Sequence, residues 1–194
     1  MKVSVDIKSA SNPKWIEAVM NNFDSFLQDH ADCERKASAF AMMLVARYPN
    51  RLEMIPELIE TAVEELEHFQ DVYKLMQSRG IQLQHKIEKD FYVIDLQKEV
   101  RKPSMEKFLD TLCIGSIVEC RGAERFRLIS EALEDVELKK FYKMLWTTEA
   151  KHGNIYVEFA LNYFSKDEVY ARLDELLDKE AEILANLPIQ ARLH

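Results

Sequence analysis

Glu65-Leu66-Glu67-His68 and Glu149-Ala150-Lys151-His152 decide how this chain folds. Each is a Glu-x-x-His word, and on a helix residues three apart are neighbours on one face. The first lies on a stripe of helical period through Ile55, Leu58, Ala62, Glu65, Phe69, Val72 and Met76. The second lies with Leu138, Phe141, Leu145, Thr148, His152, Ile155 and Phe159. Each is preceded by another helical stripe that carries one glutamate. Phe23, Leu27, His30, Glu34, Ala37, Ala41 and Leu44 form the first of these; Phe108, Leu112, Gly115, Glu119, Gly122, Phe126 and Ile129 form the other. Glu34 and Glu65 are 31 residues apart and Glu119 and Glu149 are 30 apart, so the two halves read as structural echoes.

The punctuation agrees. Asn12-Pro13 starts a short helix through Trp15 and Met20, with Asn as cap and Pro in the first turn. Tyr48-Pro49-Asn50 breaks the first long helix, and the second begins near Glu53–Pro56. It ends at Ser78-Arg79-Gly80, where glycine is the expected C-terminal cap. Residues 81–103 have no long period: Ile81 to Ile87 alternates, and Asp90 to Val100 fits a short helix. Pro103-Ser104 restarts the pattern, Glu134-Asp135 turns it, and Ser165-Lys166-Asp167 separates a last helix at about 167–187. Two antiparallel helix pairs joined by a long crossover make an all-α, ferritin-like four-helix bundle. The expectation is one domain over 1–194, with its core bundle at about 21–165 and a C-terminal fifth helix.

Composition narrows the class. The chain has 194 residues, 47% of them hydrophobic, enough for a helical domain with a sizeable core. No apolar run approaches the roughly 20 residues that cross a bilayer. The first residues lack a signal peptide's apolar core. Cys33, Cys113 and Cys120 form no CxxC pair and read as reduced, packed thiols, which fits a cytoplasmic protein. The formal net charge of −8 argues against a chain-wide nucleic-acid coat and leaves room for a local basic patch.

Four stripe glutamates and two stripe histidines, Glu34, Glu65, His68, Glu119, Glu149 and His152, would all point into the bundle. Unpaired carboxylates in a dry interior cost on the order of tens of kcal/mol. Two divalent cations cancel four such charges. Carboxylate oxygen with imidazole nitrogen suits iron or manganese, and a set without thiolate argues against structural zinc. His30, one turn before Glu34, reads as a core histidine or a partner to that carboxylate. Gly115 and Gly122 leave room either for helix contact or for a ligand near Glu119.

The words around these residues are more specific. Asp32-Cys33-Glu34-Arg35-Lys36-Ala37-Ser38-Ala39, Glu64-Glu65-Leu66-Glu67-His68-Phe69 and Ile117-Val118-Glu119-Cys120-Arg121-Gly122-Ala123-Glu124-Arg125-Phe126 resemble the bacterial tRNA hydroxylases that act on 2-methylthio-isopentenyl-adenosine. The resemblance spans roughly residues 15–165, and Glu149-Ala150-Lys151-His152 sits where that family has its last ligand pair. It implies a non-haem di-iron monooxygenase with two iron ions, dioxygen as co-substrate and electrons from a reductase or ferredoxin. It would hydroxylate the isopentenyl group of the modified tRNA adenosine. Glu65 and Glu149 would bridge the irons, Glu34 and Glu119 would be terminal, and His68 and His152 would each serve one iron.

A tRNA substrate calls for basic contacts. Arg121, Arg125 and Arg127 on the third long helix and Lys139, Lys140 and Lys143 on the fourth are the candidates, with Lys86, Lys89, Arg101 and Lys102 as a second patch. Glu124 is a further group near the metals or a partner of Arg121 and Arg127. Monomer and dimer both remain open. The competing reading is a ferritin-like iron oxidase or peroxide scavenger without a tRNA substrate.

Overall fold

A computed structural model describes residues 5–85 and 89–194. Lys86 and Ile87, part of the crossover reading, lie outside the described residues. Among the latter the chain forms seven helices: α1 (Pro13–Asn21), α2 (Phe23–Arg47), α3 (Ile55–Ser78), α4 (Phe91–Lys98), α5 (Ser104–Ala132), α6 (Val136–Tyr163) and α7 (Lys166–Asn186). The four long ones are those that carry the glutamate stripes. None of the described helices is long and apolar enough to cross a membrane.

The helix ends follow local chemistry. The Asp135 carboxylate accepts from the backbone N–H groups of Glu137 and Leu138, both at 2.9 Å, and so starts α6. Ser165 and Glu168 form a reciprocal capping box at the start of α7. Gly80 takes φ +71° just past α3, a left-handed turn that glycine adopts without penalty.

Two compact units result. One comprises 17–88 and 190–193, and its body is the α2–α3 hairpin. The pairs that link the two helices run in opposite order: Arg79 donates to Asp24 at 2.9 Å, and the Ser38 hydroxyl donates to the Ala62 carbonyl at 2.8 Å. Phe26, Leu27, Leu44, Leu58, Val72 and Met76 are buried in it.

The other unit comprises 1–16, 89–189 and 194. Its α5–α6 hairpin is pinned where Ser116 donates to the Gly153 carbonyl at 2.7 Å and Ser130 to that of Lys139 at 3.1 Å. Asp110, fully buried on α5, accepts from Arg101 at 2.7 Å and from Arg172 at 2.8 Å, which ties the end of the crossover to α7. Burial pushes the Asp110 carboxyl up, but the two guanidinium partners outweigh it and hold it below the ordinary carboxylate range.

Candidate metal centre

The α2–α3 unit gathers Glu34, Glu65 and His68, all buried. His68 Nδ1 lies 3.5 Å from Glu34 Oε2 and 3.4 Å from Glu65 Oε2. Glu65 and His68 meet because they are one helical turn apart on α3; Glu34 reaches them because the hairpin sets α2 against that face. Behind Glu34, His30 Nε2 approaches Oε1 at 2.6 Å. A carboxylate only accepts, so the imidazole donates there and fixes the carboxylate's orientation. His30 is thus the partner to Glu34 that the stripe had suggested.

The α5–α6 unit repeats the pattern with Glu119, Glu149 and His152, again all buried. His152 Nδ1 lies 3.8 Å from Glu149 Oε2. In each unit the three side chains offer ligand atoms within 4.8 Å of one another. Each triplet is two carboxylates and one imidazole. That donor set fits a first-row divalent ion such as iron or manganese. Neither triplet includes a thiol; burial pushes the Cys120 thiol up to about 11 and the Cys113 thiol up to about 12.

Small residues shape this second triplet. A Cβ on Gly122 would meet Glu149 Cγ at 4.0 Å, ordinary contact, so Gly122 lies directly against a candidate ligand. Gly153 is tighter. A Cβ there would stand 2.6 Å from Cys120 Sγ and 3.3 Å from the Ser116 carbonyl oxygen. Alanine gains about 1 kcal/mol over glycine inside an open helix, and overpacking costs about 1–3 kcal/mol. Gly153→Ala is therefore expected to destabilise the iron-free protein by about 1 kcal/mol net in urea unfolding; a more stable variant would contradict the contact. Gly153 carried a readable signal, a glycine in mid-helix beside His152, that spacing arguments passed over.

The basic residues divide. Arg121 and Arg125 do share a face, but it is the buried one, which corrects their reading as tRNA contacts. Arg121 is fully enclosed; its guanidinium donates to Glu180 Oε1 at 2.8 Å and Oε2 at 3.0 Å, to Glu124 at 3.1 Å and to the Ser9 carbonyl at 2.7 Å. Burial opposes its charge, but Glu180 outweighs that and holds the group firmly protonated. Arg125 lies over the Trp15 ring at 4.7 Å and donates to the Ser11 hydroxyl at 3.2 Å. Burial, with the neighbouring Arg121 charge, lowers its pKa to about 10. Tyr92 completes the cluster by donating to Glu180 at 3.0 Å. Glu124 partners Arg121 and accepts from the Ser11 hydroxyl at 2.7 Å. Nothing in helical period distinguishes this network from a solvated charged face.

On the surface stand Arg127, paired with Glu131 at 3.0 Å, Lys140, paired with Glu137 at 2.9 Å, and the exposed Lys139 and Lys143. In the second patch Lys89 and Lys102 are exposed, while Arg101 is bound to Asp110.

The whole chain resembles a solved helical structure described as "Protein 43 with aldehyde deformylating oxygenase activity from Synechococcus": TM-score 0.88, 29% identity, covering 97% of this chain and 94% of that one. The fold is the ferritin-like all-α fold. Residues 2–194 match the family described as tRNA-(MS[2]IO[6]A)-hydroxylase (MiaE), and the chain belongs to that family. It is 33% identical over 180 residues to the tRNA 2-(methylsulfanyl)-N(6)-isopentenyladenosine(37) hydroxylase of Pseudomonas putida, covering 93% of this chain and 87% of that protein. The protein of the same name from Salmonella typhimurium is 30% identical over 142 residues, 73% of this chain and 52% of its own length.

Proposed function

We propose that this chain hydroxylates the isopentenyl group of 2-(methylsulfanyl)-N(6)-isopentenyladenosine in tRNA at a pair of iron ions. The two units act as one domain over 1–194, and each contributes one triplet: Glu34, Glu65 and His68, and Glu119, Glu149 and His152. The observation that carries this reading is the repeated buried Glu/Glu/His triplet in a chain of the hydroxylase family. When bound, the iron pair supplies the redox chemistry that activates dioxygen. One oxygen atom enters the C–H bond and the other leaves as water, with two electrons from a reductase or ferredoxin and two protons completing the balance.

The chain's own residues do the rest. Glu34, Glu65 and His68 of one unit and Glu119, Glu149 and His152 of the other would hold the ions, the four carboxylates supplying oxygen ligands and the two histidines one imidazole apiece. Four carboxylates balance two divalent charges, so the loaded site is neutral and tolerable in a core. His30 keeps Glu34 aimed. The surface cations Arg127, Lys139, Lys140 and Lys143 meet tRNA phosphates and make binding salt-dependent. A tRNA substrate places the enzyme's work in the cytoplasm.

The test supplies the purified, iron-loaded chain with a reductant, dioxygen and tRNA bearing the methylthio-isopentenyl adenosine, then digests the tRNA for mass spectrometry. The expected product is a nucleoside heavier by one oxygen atom. No conversion by protein verified to hold two irons would overturn the reading; uptake of many irons per chain without conversion would favour an iron oxidase.

A further inference from the structure

The chain has four threonines, and three behave alike. Thr111, Thr147 and Thr148 each donate to the carbonyl four residues earlier, Lys107 at 2.6 Å, Lys143 at 3.0 Å and Met144 at 3.3 Å. That back-bond is the ordinary refuge of a hydroxyl on a helix. Thr61 on α3 departs from it. It is 2% exposed, and its Oγ1 has no hydrogen-bond partner among the described residues. Nearby Ser38 of α2 is satisfied by the Ala62 carbonyl. An unsatisfied buried hydroxyl is costly, and such groups call for an explanation.

The position supplies one. Thr61 precedes Glu65 by four residues and His68 by seven, so all three share one face of α3. A hydroxyl both donates and accepts without ionising, whereas a carboxylate such as that of Glu65 only accepts. We propose that the Thr61 hydroxyl is a hydrogen-bonding subsite for a small ligand beside Glu65 and His68, of the class of water, dioxygen or a triatomic anion. Thr61 is then a positioning residue for the hydroxylation. This rests on the di-iron reading, and the two can fail separately.

Azide is the probe. Iron-loaded parent, Thr61→Val and Thr61→Ser proteins are titrated with azide and followed by its charge-transfer absorption. Valine keeps the shape and removes the hydroxyl; serine keeps the hydroxyl. Azide is expected to bind Thr61→Val about tenfold more weakly than the parent, about the worth of one hydrogen bond, and Thr61→Ser within twofold of it. Iron content should be equal in all three. The iron-free Thr61→Val protein should melt no lower than the parent, since it loses no hydrogen bond. Unchanged azide affinity in a loaded Thr61→Val protein overturns the subsite alone. So does an iron-free Thr61→Val protein that melts several degrees lower, the mark of a structural hydrogen bond. A parent chain that takes up no iron overturns the di-iron reading and the subsite with it.

Discussion

Glu65→Ala is expected to remove hydroxylation and most of the bound iron while leaving the iron-free protein at least as stable as the parent. The asymmetry follows from burial. Glu65 is 1% exposed and shares its surroundings with Glu34 and His68. Without metal, a carboxylate there is a desolvated charge, and its removal relieves the fold. With metal, Glu65 would be a direct ligand, and its loss should exceed the 10–100-fold loss of affinity typical of groups that only support a ligand. The melting temperature reports both effects. A ligand present at about a thousand times its dissociation constant stabilises by about 4 kcal/mol. In a chain of this size that is roughly 8–16 °C. Iron should raise the parent's melting temperature by about that much and Glu65→Ala's by far less. Equal shifts would show that Glu65 is not a ligand.

Arg121→Ala is expected to cost about 3–5 kcal/mol, the range for breaking a buried ion pair and leaving one charge unpartnered. Glu180, fully buried, would lose its bidentate guanidinium and, among the described residues, keep the Tyr92 hydroxyl alone. Glu124 and the Ser9 carbonyl would lose donors as well. The midpoint of thermal unfolding should fall by about 10 °C or more. The paired change Arg121→Met with Glu180→Leu should recover most of the loss, because replacing both partners by apolar groups is often neutral. Were Arg121 a phosphate contact instead, stability would stay unchanged and tRNA affinity would fall; melts and salt-dependent binding of the same variant separate the two.

Arg121 also marks where reading the sequence stops. The four stripes that carry Glu34, Glu65, Glu119 and Glu149 were legible because burial imposes a helical period, and a glutamate on such a period stands out from Val, Leu and Phe. The short helices at Trp15 and at residues 91–98 were legible through Asn12-Pro13 and the break at Pro103. Arg121 and Arg125 sit on the same helix as Glu119 but off its stripe, in a run dense with charge. Whether Arg121 faces water or Glu180 depends on a residue almost 60 positions later, and no local pattern carries that. Thr61 illustrates a different limit. Its place on the ligand face follows from the register, but its unused hydroxyl is a matter of rotamer and surroundings. Gly153 shows a third: its need for no Cβ is set by Cys120 and the Ser116 carbonyl on another helix.

The chain has 34 acidic residues, and each unit buries two of them in its triplet. Asp110 and Glu180 are buried against arginines and serve the fold. Glu34, Glu65, Glu119 and Glu149 are buried beside imidazoles. Arginine neutralises a carboxylate permanently. Imidazole leaves the donor set open to a metal, and that difference in partner separates the two groups of buried acids.

Anomalous scattering at the iron absorption edge, from crystals of the iron-loaded protein, tests the central claim most directly. Two peaks about 3.5–4 Å apart, the separation of paired-metal sites, enclosed by Glu34, Glu65, His68, Glu119, Glu149 and His152, are the expected result. A single peak, or peaks away from those six side chains, would contradict it.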